Sequence, residues 1–273
     1  MAARGDRTRE FEDQGYVLQR GFLSADEIEA LREALREAQQ VAAESDVLDR
    51  KGMTFKHNLW KASPKLREFI TSPKVVGFLC DIVGPDLWVR WDQTIEKQPG
   101  GAACPWHQDN GYNGLLDMHF QLWIALTPMT IDNGGLWLQP GSHKLGKVTH
   151  ESIGSHVYNP GDESKEVLVP AEPGDALLFS SFMLHKTNEN VTEDQTRMAY
   201  VIEYMRLGDV DPFIEAPYLI AARGGEPAEA LVPRQPGSRS LRNQRKYLVP
   251  RVHRSLSHLR HRLPTKLGGK SGS

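Results

Sequence analysis

Residues 121–142, QLWIALTPMTIDNGGLWLQPGS, read as an apolar strand, a Gly-Gly turn, a second strand and a Pro-Gly turn, with His143 directly after. Downstream, Glu172-Pro173-Gly174-Asp175 makes a tight turn into Ala176-Leu177-Leu178-Phe179, a strand that runs towards His185. Upstream, residues 87–95 (LWVRWDQTI) alternate, and the loop Gln98-Pro99-Gly100-Gly101 leads from them to Trp106-His107. Residues 197–204 (RMAYVIEY) alternate again after the polar loop 188–196, which should fold that strand back beside the His185 strand. The pattern is mainly β, with flanking α-helices. Residues 11–22 read as a helix turn and a short strand. Ser24-Ala25-Asp26-Glu27 is a capping box, after which Ile28, Leu31, Leu35 and Ala38 recur at helical spacing to about Gln40. Two more helices are predicted from Pro64 to Ile70 and from Pro73 to Val83, the latter stopped by Gly84-Pro85.

Chemistry is suggested by His107-Gln108-Asp109, followed 76 residues after Asp109 by His185 and then by Arg197. A histidine and a carboxylate two residues apart on an extended strand point to one face and can grip a metal ion from one side. A second histidine completes a set of two histidines and one carboxylate, which leaves three octahedral positions open and suits non-haem Fe(II) that activates dioxygen. His-x-Asp alone arises by chance in many soluble chains, so the weight rests on the ordered turns and strands around it. None of His119, His143, His150 and His156 is followed two residues on by a carboxylate, and His143 is expected to fix its loop by hydrogen bonding.

Taken together, His107-Gln108-Asp109, Asn133-Gly134-Gly135, Pro140-Gly141-Ser142-His143 and His185-x-Thr187-x-x-Asn190 resemble the phytanoyl-CoA dioxygenase family of Fe(II)/2-oxoglutarate oxygenases, over roughly residues 8–206. The resemblance implies a double-stranded β-helix, a jelly-roll or cupin-like barrel of two antiparallel sheets with iron near one open end and helices packed outside. It implies His107, Asp109 and His185 as metal ligands, with Fe(II), 2-oxoglutarate and dioxygen as cofactor and cosubstrates. Arg197 would hold the distal carboxylate of 2-oxoglutarate bidentately, with Thr187 adding a hydroxyl. Gln93 and Trp123 would line the cosubstrate pocket, and Lys56, on a looser match, would reach the cosubstrate. The implied reaction couples decarboxylation of 2-oxoglutarate to oxidation of an unactivated carbon of a small organic molecule, by default hydroxylation, in secondary metabolism. Desaturation, epoxidation and ring formation use the same oxidant. Related halogenases carry a small residue in place of the carboxylate, so Asp109 argues for oxygen transfer. A zinc hydrolase would not need the arginine. A non-catalytic small-molecule-binding barrel is the alternative of another class, and it would normally have lost one of the ligands. Residues 110–118, 153–166 and those around Lys56 are expected to form the rim that recognises substrate.

The 273 residues suit one catalytic domain, expected over 1–230, with 25% charged and 39% hydrophobic residues, as in ordinary soluble proteins. No apolar run reaches the length of a membrane span, and residues 1–7 lack the apolar core of a secretion signal, so the expected location is cytoplasmic. Cys80 and Cys104 provide no disulfide framework. Residues 231–273 form a basic extension with eleven Lys or Arg and no Asp or Glu, which leaves the rest of the chain with 22 basic against 35 acidic residues. Val252, Leu256, Leu259 and Leu263 recur there at helical spacing among arginines. Such a helix would pack on the acidic barrel or a second subunit, or would recruit a polyanion such as an acidic carrier protein or an anionic membrane surface. No nucleic-acid-binding fold is recognisable.

Overall fold

The computed structural model describes residues 4–41 and 47–247. From the N-terminus its elements are α1 (Arg4–Gln14), β1 (Tyr16–Gln19), α2 (Ala25–Val41), β2 (Val47–Asp49), β3 (Met53–His57), α3 (Leu59–Ala62), α4 (Pro64–Ile70) and α5 (Pro73–Val83). They continue with β4 (Leu87–Lys97), β5 (Cys104–His107), α6 (Asp109–Asn113), β6 (Phe120–Ala125), β7 (Leu136–Leu138), β8 (Glu151–Ile153) and β9 (His156–Tyr158). The last are β10 (Val167–Val169), β11 (Ala176–Ser180), β12 (His185–Thr187), β13 (Arg197–Arg206), β14 (Tyr218–Arg223), β15 (Glu226–Val232) and α7 (Leu241–Lys246).

The helices form where local chemistry starts and stops them. Glu27 accepts from the Ser24 backbone N–H at 2.8 Å and Ser24 Oγ accepts from the Glu27 N–H at 3.3 Å, a reciprocal cap that begins α2. Ile28, Leu31, Ala34, Leu35 and Ala38 form its buried stripe. Ser63 and Ser72 cap α4 and α5, each with proline at the start of the helix, where a missing N–H costs nothing. Among the described residues no helix is long and apolar enough to cross a membrane.

Two antiparallel sheets make a double-stranded β-helix. The larger runs β1-β11-β6-β13-β4-β14-β15, with β3 also beside β4 and β2 beside β3, and the smaller runs β10-β7-β12-β5. The larger sheet is covered on both faces. Leu122 and Ile124 of β6 join the helix-side core, while Trp123 and Ala125 join the core between the sheets. Every residue of β6 is therefore buried, and the strand is apolar except for Gln121 rather than alternating with polar residues. On β13, Tyr200, Ile202 and Tyr204 face the helices, and Ala199 and Val201 face the barrel interior. The turn before β11 requires glycine, since Gly174 has φ +88° and a Cβ there would lie 2.5 Å from the Leu23 carbonyl oxygen.

Three expectations are corrected. The strand of Arg197 does not lie beside that of His185. The loop 188–196 carries the chain across the barrel, so β13 sits between β4 and β6 in the larger sheet and β12 between β7 and β5 in the smaller. The strands read from residues 121–142 likewise belong to opposite sheets. The division expected at residue 230 falls inside β15, and the chain packs on the domain as far as Tyr247, whose buried hydroxyl donates to Asp117 at 3.0 Å. The helix read around Val252, Leu256, Leu259 and Leu263 lies outside the described residues.

Asp92 ties the sheet to the helix layer. One of its oxygens accepts from the Tyr200 hydroxyl at 2.7 Å and the Trp60 N–H at 2.9 Å, and burial pushes its carboxyl up to about 7. The folded protein therefore holds a proton that the unfolded chain has released, and stability contributed below the ordinary carboxyl range is lost as pH rises towards 7. Asp92→Asn keeps an acceptor and carries no charge. It should stabilise the protein at pH 8 by on the order of 2–4 kcal/mol, with little gain near pH 4, as read by thermal melts across that range.

Candidate active site

The strand β5 ends at His107, and Gln108 continues extended, with φ −103° and ψ 145°, before Asp109 opens α6. Asp109 is thus not on a strand as expected, yet the extended Gln108 keeps its side chain on the same side as His107. Gln108 points the other way and is fully buried. Its amide donates to the carbonyls of Gly146 and Phe182, both at 2.7 Å, and accepts from Val148 N–H at 3.0 Å. The middle residue of His-Gln-Asp therefore fastens the strand while its neighbours face the cavity.

β12 brings in the second histidine. His185 stands directly across from His107 in the antiparallel ladder, and the ring centroids are 4.1 Å apart. The Nδ1 of His107 lies 2.7 Å from the Pro105 carbonyl and that of His185 lies 3.0 Å from the Met183 carbonyl. A carbonyl only accepts, so both Nδ1 atoms carry a proton and Nε2 is the nitrogen each ring turns towards a metal. These Nε2 atoms lie 3.8 and 3.7 Å from Asp109 Oδ1. The ligand atoms of all three residues fall within 4.8 Å of one another, as one ion requires.

Gln121 on β6 donates from Nε2 to Asp109 Oδ2, which turns Oδ1 towards the histidines. Nothing in a lone glutamine within an apolar strand marked this role, since the partner is another strand's neighbour. Burial holds His185 down to about 3, in its neutral form, and raises Asp109 to about 6, still ionised at neutral pH, whereas at His107 burial is outweighed by the neighbouring Cys104 and Asp109, which push it up to about 9, so a metal binds there by displacing a proton.

The same cavity, of about 200 Å³, is lined by Arg197, Thr187, Gln93 and Trp123. Arg197 is fully buried, and its guanidinium stands 5.2 Å from the ring centroid of Trp123. None of its three nitrogens has a hydrogen-bond partner. Burial lowers it to about 10, so it remains cationic at neutral pH. Trp123 offers only its ring, because its N–H is directed to Met129 Sδ at 3.2 Å. Lys56 does not join this group. Met53, Phe55 and His57 line the cavity, so period-two alternation turns Lys56 to the helix side, where Nζ donates to Gln39 at 2.9 Å and pairs with Glu96 at 3.3 Å. His143 bonds the Glu12 carbonyl at 3.1 Å and lies outside the cavity lining.

An orphaned, buried guanidinium calls for an anion, and two imidazole Nε2 donors with a carboxylate suit a divalent first-row metal. The fold and this constellation together define a non-haem oxygenase architecture. The sequence profile described as phytanoyl-CoA dioxygenase (PhyH) matches residues 11–199, and the chain belongs to that family. It is 29% identical to methylphosphonate hydroxylase of Gimesia maris over 146 residues, 54% of this chain and 56% of that protein. It is 31% identical to 1-deoxypentalenic acid 11-beta-hydroxylase of Streptomyces arenae over 135 residues, 43% of this chain and 48% of the relative. The chain thus spans about half the length of these relatives. The crystal structure of EvdO2 from Micromonospora carbonacea var. aurantiaca complexed with 2-oxoglutarate superposes with a TM-score of 0.59 at 25% identity, covering 78% of this chain and 96% of that one.

Alanine at His107, Asp109 or His185 should abolish stoichiometric binding of Fe(II) or Co(II), measured by metal analysis after anaerobic loading, while circular dichroism remains native. Gln121→Leu should weaken the affinity by roughly 10–100-fold, as loss of a ligand's supporting hydrogen bond does elsewhere.

Proposed function

We propose that this chain is a non-haem Fe(II)/2-oxoglutarate-dependent dioxygenase that hydroxylates an unactivated carbon of a small organic molecule in secondary metabolism. The observation that carries this reading is the fully buried, unpartnered guanidinium of Arg197 facing the same cavity as His107, Asp109 and His185. A zinc hydrolase has no use for such a cation, whereas 2-oxoglutarate keeps a free distal carboxylate when its keto-acid end chelates a metal. The hydroxylase relatives and the 2-oxoglutarate complex of EvdO2 support the same assignment.

Iron, bound with 2-oxoglutarate and dioxygen, supplies the oxidation of a C–H bond with release of succinate and carbon dioxide. The protein's residues do the rest. His107 and His185 would hold the metal through Nε2 and Asp109 through Oδ1. Asp109 is a carboxylate where related halogenases carry a small residue, which supports oxygen transfer. Arg197 orients the cosubstrate and neutralises its distal charge. Met53, Phe55, Ile95 and Leu136 give the cavity dry walls.

The mouth is marked by the lining residues that remain exposed, Leu48 and Tyr112. Arg50 stands beside them, with its guanidinium 5.3 Å from the Tyr112 ring and 5.7 Å from that of Phe55, and its Nη1 3.3 Å from His156 Nδ1. A cation held at the mouth by aromatic rings supports a substrate with an acidic group.

With Fe(II), 2-oxoglutarate and air the purified protein should release succinate, and alanine at any of the three metal-site residues should stop it. Arg197→Ala should raise the KM for 2-oxoglutarate at least about tenfold, since removing one partner of a buried charged pair costs on the order of 2–5 kcal/mol. Metal content should be unaffected. An unchanged KM would place the cosubstrate elsewhere.

A further inference from the structure

Lys97 is the last residue of β4 and stands directly across from Arg197, the first residue of β13. Opposed residues of an antiparallel pair project to the same face, here the barrel interior. Both side chains are fully buried. Lys97 Nζ donates to Thr187 Oγ1 at 2.8 Å and to the Asn188 carbonyl at 2.5 Å. Neither acceptor is a carboxylate.

The protein makes room for this side chain. A Cβ on Gly134, whose φ is +77°, would lie 2.8 Å from Lys97 Cδ and 3.2 Å from Nζ, and a Cβ on Gly101 would lie 2.8 Å from Cγ. The turn Asn133-Gly134-Gly135 is held by Asn133, which donates to the Pro128 carbonyl at 2.8 Å and accepts from Thr130 N–H at 2.9 Å. The glycine turn therefore doubles as a passage for the lysine stem. Burial and the adjacent guanidinium hold the ammonium down to about 7, and a carboxylate nearby would favour its charged form.

A threonine hydroxyl has two acceptor lone pairs and one hydrogen. With an ammonium donating to Thr187 Oγ1, the hydroxyl hydrogen is turned away from Lys97, and Thr187 lines the cavity that Arg197 also lines. We propose that Lys97 is a positioning residue that sets the Thr187 hydroxyl as a donor to the distal carboxylate of 2-oxoglutarate, so that the site selects a dicarboxylic over a monocarboxylic 2-oxo acid. The assignment rests on the cosubstrate reading above and adds a residue and a selectivity to it.

The test is calorimetric and needs no turnover. Protein loaded with Mn(II) is titrated with 2-oxoglutarate and with 2-oxobutyrate, which has the same chelating end and no distal carboxylate. Wild type should prefer 2-oxoglutarate, and Lys97→Met should cut that preference at least about tenfold by weakening 2-oxoglutarate alone, as expected for loss of a charged hydrogen bond. In a Thr187→Val background, Lys97→Met should have little further effect on the preference, because the hydroxyl it orients is gone. An undiminished preference, equal weakening of both acids, or fully additive effects would overturn the proposal. Should Lys97→Met not fold, Thr187→Val must cut the preference to what Arg197 alone would leave and Thr187→Ser retain it in full, and a valine variant with undiminished preference would be equally fatal. A wild type that binds both acids alike would overturn the cosubstrate reading itself, and this proposal with it.

Discussion

A guanidinium and an ammonium lie side by side inside the barrel, Arg197 across from Lys97, and neither donates to a carboxylate. Burying one such cation costs several kcal/mol even after relaxation, and like charges add to that. A fold that keeps them there must be held by the rest of its interior. It must also gain something when an anion arrives. The layered β-helix supplies the first condition, and the metal-site residues in the same cavity give the second its chemical sense.

The two sheets divide the labour. The smaller sheet carries His107 and His185 as a directly opposed pair, and the larger carries Arg197, Gln93, Gln121 and Trp123 on the face turned towards it. The cavity is the space between them. Because the larger sheet is covered by helices behind and closed by the smaller sheet in front, it is shielded from water on both faces. That double burial makes its few inward polar side chains energetically consequential.

Three amides keep the loops in register with this arrangement. Gln108 fastens the end of β5 to the segments around Gly146 and Phe182, Asn133 clamps the glycine turn, and Asn190 donates to the carbonyls of Lys97 and Gln195 at 3.0 and 2.6 Å. Each lies within one of the short motifs that carry the family resemblance. Their physical service is to satisfy backbone groups that the loops would otherwise bury unpaired. The motifs are therefore as much about loop geometry as about chemistry.

Local signals in the chain were enough for much of the fold. Ser24 and Glu27 announced α2, Pro64 and Pro73 announced α4 and α5, and alternation announced β4 and β13, because caps, proline and side-chain period act over a few residues. His107, Asp109, His185 and Arg197 were legible as a set through their order and spacing. What the sequence could not reveal was which face and which sheet. Lys56 and Lys97 are both lysines on cavity-side strands, yet one residue of register sends Lys56 to the helix layer, while Lys97 turns inward beneath Gly134. Likewise, the strand that begins at Arg197 looked like the continuation of a hairpin with His185, and the loop between them instead crosses the barrel. The partnership of Gln121 with Asp109 and of Lys97 with Thr187 joins residues on strands whose pairing is non-local. Such contacts follow from the closure of the two sheets, and no short-range propensity encodes them.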